Sequence, residues 1–405
     1  MLRWRDSVGF KSLELEALAL AEDRVRRPEE TEVKSPFHLV CCNDSDCEII
    51  VPTTDWDIPV SQSAKVLKKL RWRSRPKRAL IVKKPNDKDT TAALHKVHGF
   101  LTTRVPPIEV WVEPAVAKDL GAGFKTWEED KGDDLHKYVD FVVCLGGDGT
   151  ILWISRLFKN RTVPPVVGFA LGSLGFLTCF KIQESSPTLT KVIEGDFFIT
   201  LRMRLCGRIV RKSGEVVKLE DVTALNEVVI DRGPTYSLIQ LELFCDGLPL
   251  TKVQADGVII ATPTGSTAYS LAAGGPLVHP ALTGMLITPI CPHTLSFRPM
   301  LLPDSVTLKI HVPETSRSNA FIAFDGSHRH ELHKGDNVFI KFVTNPVIHM
   351  CKDNESADWF QSVNQALRWN ERDAEQKPFE EPALEPVVEL AHTESPAGPD
   401  AGLDF

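Results

Sequence analysis

Phe141-Val142-Val143-Cys144-Leu145-Gly146-Gly147-Asp148-Gly149-Thr150 is a run of five apolar residues that passes straight into glycine. An uninterrupted apolar run ending this way is the pattern of a parallel strand covered on both faces. Glycines at the carboxyl end of such a strand let backbone N–H groups approach an anion, and the start of the next helix adds its partial positive charge. Residues Ile151–Phe158 read as that helix, with Thr150 suited to its N-cap. Asp148 is the odd element, because a loop built only to hold phosphate would not place an anion in its middle. It therefore reads as a base, or as a group that meets phosphate through a divalent cation. No Gly-Lys-Ser/Thr follows, and the glycines do not form Gly-x-Gly-x-x-Gly, so this is neither a Walker A loop nor a dinucleotide fingerprint. A plain Gly-Asp-Gly turn is the alternative, and the strand-glycine-helix setting argues against it.

The flanking sequence extends the same pattern. Ala79-Leu80-Ile81-Val82 reads as a buried strand, and Leu94, Val97 and Leu101 follow at helical spacing. Pro106-Pro107 closes that helix. Ile108–Val112 and Val166–Ala170 read as further strands of βαβ units. After about residue 196 the apolar period becomes two, in Ile239/Leu241/Leu243, Val306/Leu308/Ile310/Val312 and Val338/Ile340/Phe342. Asp246-Gly247 and Phe324-Asp325-Gly326 offer tight turns. Ala357, Phe360, Val363 and Leu367 mark a short closing helix. The expected class is α/β plus all-β. An α/β domain spans 65–195, an all-β sandwich domain 196–345, and a C-terminal segment over 346–371 packs on the α/β domain. Residues 1–64 are expected to be a mostly disordered extension, and 372–405, rich in Pro and Glu, a disordered acidic tail.

The 405 residues carry 47 Lys+Arg against 54 Asp+Glu, a formal net charge of -7. Residues 372–405 hold nine acidic and two basic residues, so the whole surplus lies in that tail. The body is formally neutral, so the net charge says little about the partner, and no nucleic-acid partner is expected. The basic run from Lys65 to Arg78 reads as a solvated lead-in to the first strand, with a nuclear signal as the alternative. Nine scattered cysteines, most in apolar runs, point to free thiols in a reducing compartment. His38, Cys41, Cys42 and Cys47 are the only cluster, and adjacent cysteines are not a usual zinc spacing, so no metal site is assigned. No apolar run is long enough to span a bilayer, and the early acidic residues argue against a presequence. A cytoplasmic protein with no membrane partner is expected, with nuclear entry left open.

Three further stretches bear chemistry. Asn226 offers a donor and an acceptor suited to a base edge, and Glu227 can accept from paired ribose hydroxyls. Asp256-Gly257-Val258-Ile259-Ile260-Ala261 runs as a strand into Thr262-Pro263-Thr264-Gly265-Ser266-Thr267-Ala268-Tyr269-Ser270, a dense block of hydroxyls that makes a polar ligand cradle. Ile287–Pro299 is irregular and Pro-rich, and its His293 is left unassigned.

In their order, these stretches resemble the NAD kinase family, most closely its eukaryotic cytosolic branch, from about Leu70 to Asn370. Leu171-Gly172-Ser173-Leu174-Gly175-Phe176-Leu177 and Asp358-Trp359-Phe360 belong to the likeness. The resemblance implies a Rossmann-like α/β domain, a C-terminal β-sandwich, and a final helix closing back on the α/β domain. It implies ATP-dependent phosphorylation of the adenosine-ribose 2′-hydroxyl of NAD, or of NADH, to give NADP(H), with Mg²⁺. By the resemblance Asp148 is the general base. Gly146, Gly147, Gly149 and Thr150 shape the nucleotide-phosphate loop. Asn226 contacts adenine and Glu227 ribose, and Asp256 lies near the nicotinamide end. Thr267, Ala268, Tyr269 and Ser270 line the cleft. A homodimer or homotetramer is implied as well. Two other classes share features: lipid-type kinases have the glycine loop but lack Asn226-Glu227 and the hydroxyl block, and a non-catalytic NAD(H) sensor would not need Asp148.

Overall fold

Successive strand residues face opposite sides of a sheet, so a strand that is apolar throughout must be covered twice. The computed structural model describes residues 36–42, 47–50, 67–121, 123–128, 135–159, 161–217 and 223–370. Its first elements are β1 (Phe37–Cys42), β2 (Cys47–Ile50), β3 (Leu67–Trp72), β4 (Arg78–Lys83), α1 (Lys88–Thr102), β5 (Glu109–Val112), α2 (Pro114–Leu120), α3 (Leu135–Tyr138), β6 (Phe141–Leu145), α4 (Asp148–Leu157), β7 (Val163–Ala170), β8 (Phe180–Lys181), α5 (Ser185–Glu194) and β9 (Phe197–Arg202). Then come β10 (Leu205–Val210), β11 (Thr223–Ala224), β12 (Glu227–Asp231), β13 (Ile239–Cys245), β14 (Leu248–Ala255), β15 (Gly257–Ala261), α6 (Tyr269–Ala272), β16 (Gly284–Ile290), β17 (Met300–Pro303), β18 (Leu308–His311), β19 (Ala320–Phe324), β20 (Ser327–Leu332), β21 (Asn337–Phe342), β22 (Val347–Met350) and α7 (Glu355–Leu367).

The first sheet runs β2-β1-β3-β9-β22-β7-β6-β4-β5, with β8 beside β7. Strands β4 to β7 are parallel. Ile81, Val143 and Leu145 pack with Leu94, Val97 and Leu101 of α1 and with Leu189 and Val192 of α5. On the other face Leu80, Val82, Val142 and Cys144 meet Ile151 and Ile154 of α4. The sheet grows from β4 to β5 in one direction and through β6 to β7 in the other. The loops leaving β4 and β6 therefore diverge, which opens a crevice at the carboxyl ends of these strands. Gly146 and Gly147 stand at its edge.

The second domain is two antiparallel six-stranded sheets, β11-β10-β21-β18-β13-β14 and β17-β16-β15-β12-β19-β20. Leu205, Ile209, Leu241 and Ile340 of one sheet share a core with Val228, Ile230, Ile260 and Ile322 of the other. The fold is thus an α/β domain joined to a β-sandwich, with α7 closing back: Ser362 Oγ donates to the Gly175 carbonyl at 3.4 Å.

Several expectations need correction. Residues 37–42 and 47–50, assigned to the disordered extension, form a hairpin paired with β3. The basic lead-in is β3 itself, because its alternate residues Lys68 and Leu70 are buried and Trp72 Nε1 donates to the Val192 carbonyl. The thiols are not all free, since Cys42 and Cys47 form a disulfide. Residue 196 does not begin the β-domain: β9 still belongs to the first sheet and lies antiparallel to β22. The helix after the glycine loop starts at Asp148 with Gly147 as N-cap, so Thr150 stands in its first turn instead of capping it. Residues 1–35 and the acidic tail 372–405 lie outside the described residues.

The chain crosses between domains beside Arg204, which is fully buried. Its guanidinium donates to the carbonyls of Asn345 (2.9 Å), Ser155 (3.3 Å), Lys159 (2.6 Å) and Arg161 (2.7 Å). These acceptors lie at the end of α4 and on the return crossing. Burial lowers the Arg204 pKa to about 10, which still leaves it charged at neutral pH. Arg204→Ala strips a donor from each of these carbonyls and opens a void. It is expected to cost about 3 kcal/mol or more in urea unfolding, and a loss below about 1 kcal/mol would rule out this clamp.

Candidate active site

Asp148 is half-buried at the first turn of α4. Its Oδ2 accepts the Phe176 N–H at 2.9 Å, and its Oδ1 accepts the Leu177 N–H at 3.0 Å and the Thr178 hydroxyl at 3.3 Å. These donors follow β7, next to β6 in the sheet. The close approach requires a glycine, because a Cβ at Gly175 would lie 2.1 Å from Asp148 Oδ1. Gly146 is glycine for a similar reason: a Cβ there would lie 2.3 Å from Thr150 Oγ1. At Gly147 and Gly149 a Cβ would meet nothing within 4 Å, so that part of the loop faces open space.

Glu227 begins β12 and Asn226 immediately precedes it. Their backbone is held from two sides. Asp325 accepts the N–H groups of Leu225 (2.8 Å), Asn226 (2.9 Å) and Glu227 (3.1 Å). Thr262 donates its N–H to the Asn226 carbonyl (2.8 Å) and its hydroxyl to the Leu225 carbonyl (2.6 Å). A Cβ at Gly265 would lie 2.1 Å from the Asn226 carbonyl oxygen, so the segment packs directly on the hydroxyl block. The Glu227 carboxylate is buried, and the backbone N–H of Tyr269 donates to it. Its Oε2 has no partner. Burial, and then the negative charge of Asp325, pushes Glu227 up to about 7.

The hydroxyl block forms a short 3₁₀ turn (Thr264–Thr267) followed by α6. Much of its polarity is structural. Ser266 Oγ bonds the Pro263 carbonyl (2.7 Å) and the Val278 N–H (3.0 Å), and Ser270 Oγ meets Thr288 Oγ1 at 2.8 Å. Ser270 is fully buried, so it braces the cleft wall from behind instead of lining it. Thr267 and Ala268 are half-buried, and Tyr269 is 44% exposed. Burial, together with the carboxylates Asp231, Asp256 and Glu227 around it, raises the Tyr269 phenol above its usual value. Asp256 pairs with Arg232 at 2.8 Å. His293 is exposed and lies outside this network.

Arg202, buried at the end of β9, ties the two halves together. It donates to Thr264 Oγ1 at 3.3 Å and to the Phe176 carbonyl at 3.5 Å, while the Phe176 N–H holds Asp148. Burial, and then Arg202, depresses the pKa of neighbouring His349 to about 3, so this imidazole is neutral. Sequence reading left out Arg202, Thr178 and the buried role of Asp325. An arginine in an apolar strand, and an aspartate in a turn that glycine or asparagine would serve, were the available signals. Among the described residues no group of three or more His, Cys, Asp or Glu side chains could hold a metal ion.

Known proteins are similar to this chain in sequence and fold. The family profile of the ATP-NAD kinase N-terminal domain matches residues 67–197, and that of the ATP-NAD kinase C-terminal domain matches 225–347. A putative NAD kinase 3 of Oryza sativa subsp. japonica is 43% identical over 353 residues, covering 84% of this chain and 71% of the relative. A probable chloroplastic NAD kinase 2 of the same plant is 47% identical, covering 75% of this chain but only 31% of its own length. The crystal structure of yeast NADH kinase complexed with NADH superposes with a TM-score of 0.70 and 34% identity, over 77% of this chain and 93% of that one.

The two tight glycines should respond differently to alanine. Gly265→Ala drives a Cβ into a backbone carbonyl and should lower stability by about 2 kcal/mol or more. Gly175→Ala meets only the end of a side chain and should cost less than about 1 kcal/mol. Equal losses in denaturant titrations would contradict this account.

Proposed function

The chain belongs to the ATP-NAD kinase family, and we propose that it transfers the terminal phosphoryl group of ATP to the 2′-hydroxyl of the adenosine ribose of NAD, giving NADP. The observation that supports this most directly is Glu227. A buried carboxylate oxygen without a partner is costly, and a ribose hydroxyl donating to it would relieve that cost. Asn226, beside it, supplies a donor and an acceptor for the adenine edge. Asp256 faces the nicotinamide end, and Thr267, Ala268 and Tyr269 line the cleft, with Ser270 supporting them. Gly146, Gly147, Gly149 and Thr150 receive the donor phosphates at the crevice edge. The likeness to an NADH kinase supports NADH as a second acceptor.

Asp148 is the general base. A carboxylate offers about four acceptor positions, and three are filled by Phe176, Leu177 and Thr178. The open position is on Oδ2, which accepts a single bond. A ribose hydroxyl is too weak an acid to be ionised beforehand, so Oδ2 takes its proton as the O–P bond forms. The bond from the γ-phosphorus to the bridging oxygen breaks, and ADP leaves. Among the described residues no group of three or more His, Cys, Asp or Glu could hold a metal ion, and Mg²⁺ is read as the counter-ion that would arrive with the ATP phosphates.

We further propose that the chain works as a homodimer or homotetramer. Met300 and Leu301 on edge strand β17, with Leu282 and Leu295, expose large apolar side chains that a second copy would cover. A cytoplasmic location is supported by the seven cysteines that stay outside the Cys42–Cys47 disulfide. No helix among the described residues is long and apolar enough to cross a membrane.

Purified protein supplied with ATP, Mg²⁺ and either NAD, NADH or diacylglycerol tests the reading: NADP or NADPH should form, and its absence from both dinucleotides would sink it. Asp148→Asn should lower turnover roughly 10²–10⁴-fold with NAD affinity near normal. Gly175→Ala should resemble it, because the new Cβ displaces the base.

Glu227 makes the acceptor side pH-dependent. Its pKa is raised from 4.5 to about 7, so its contribution to ligand-free stability is full below 4.5 and is lost as pH rises through about 7. Hydroxyl binding needs the ionised form, so NAD affinity should rise over the same window. Glu227→Gln should flatten both trends and melt higher than wild type at pH about 8, as read by calorimetry with and without NAD.

A further inference from the structure

We propose that Asp325 is a positioning residue for the acceptor side of the reaction: its carboxylate fixes the backbone of residues 225–227 and so sets where Asn226 and Glu227 meet the dinucleotide. This rests on the NAD kinase reading of the site.

Asp325 occupies the turn between β19 and β20, with φ of 44°, and Gly326 follows at 69°. Glycine or asparagine would satisfy the left-handed backbone of such a turn equally well. What the turn itself does not need is a carboxylate folded inward. Here that carboxylate takes three consecutive N–H groups, of Leu225, Asn226 and Glu227, at 2.8, 2.9 and 3.1 Å. The Asp325 N–H returns the contact to the Glu227 carbonyl at 3.0 Å. Bonds to an ionised acceptor are stronger than neutral ones, and these donors stand where the chain turns from β11 into β12. The Asn226-Glu227 pair is therefore held by a residue about 100 positions away on another hairpin.

The same group acts electrostatically. Glu227 faces Asp325 from the β19–β20 turn and Tyr269 from α6, whose backbone N–H donates to it. Burial raises the Asp325 carboxyl above its usual range, and those three N–H groups and Arg156 of α4 offset part of that rise. Arg156 lies on the helix that carries Asp148 at its other end. Asp325 thus stands between the helix of the base and the strand of the acceptor pocket. Neutralising it should have two separable effects. A loosened 225–227 backbone weakens dinucleotide binding, and a missing neighbouring charge makes Glu227 easier to ionise.

The full-length chain, Asp325→Asn and Asp325→Ser would be compared by melting and by steady-state kinetics across the pH range around neutrality. Both variants should fold, with KM for NAD raised roughly tenfold or more and KM for ATP changed less than about twofold. The pH midpoint of kcat/KM for NAD should move to lower pH in Asp325→Asn, a shift that lost stability alone would not give. Wild-type NAD KM with an unmoved midpoint would overturn the proposal. So would equal rises in both KM values, or failure of both variants to fold, which would make Asp325 a folding determinant only. If the wild-type protein forms no NADP(H), the kinase reading fails by itself. Calorimetric NAD binding to wild type and Asp325→Asn then decides the positioning role separately, with equal affinities overturning it.

Discussion

A buried guanidinium whose hydrogen-bond partners among the described residues are backbone carbonyls ties the two domains of this molecule together. Arg204 gives its protons to backbone carbonyls at the end of α4 and on the strand-to-strand return at Asn345. Helix ends leave carbonyls unpaired, and a buried arginine needs acceptors on several sides. Each requirement is met by the other. The result fixes the axis of α4 against both interdomain crossings, and α4 carries Asp148 at its opposite end. Arg202, two residues earlier, reaches Thr264 and the Phe176 carbonyl. Two cations on one short crossing thus connect the base, the loop that holds it and the hydroxyl block of the other domain.

The acceptor pocket follows a related rule, in which polar groups are fastened from behind so that one atom is left unfastened in front. Thr262 and Ser266 spend their hydroxyls on backbone carbonyls, and Ser270 spends its own on the Thr288 hydroxyl. Asp325 takes the N–H groups beneath Asn226 and Glu227. Glu227 Oε2 is what remains without a partner. Rigid support around an unsatisfied group is how a site is organised in advance of its ligand.

Much of this was legible in the sequence where one local pattern sufficed. The five apolar residues before Gly146 announced a doubly covered strand, and the period-two runs announced the sandwich. The hairpin at Phe37–Ile50 was not legible, because its strands are short and separated by the polar stretch Asn43-Asp44-Ser45-Asp46, and only pairing with β3 gives them a reason to be extended. Lys68 looks like a surface residue in sequence and is buried by its neighbours. The density of hydroxyls in Thr262–Ser270 suggested a ligand cradle at a strand-to-helix junction, and the structure places a 3₁₀ turn and a short helix there. That density could not reveal that most of them serve the backbone, nor that Ser270 lies behind the wall. The partners of Arg204 and Asp325 were invisible for a common reason: each acts on residues remote in sequence, and periodicity carries no information about such partners.

The return of β22 to the centre of the first sheet has a bearing on how the chain is made. β22 lies between β9 and β7, bonded to both. A nascent polypeptide emerging from the ribosome must therefore complete the whole β-sandwich before the α/β sheet can close. Until Met350 has emerged, β7 and β9 each present an unpaired edge. The domain synthesised first is the one finished last.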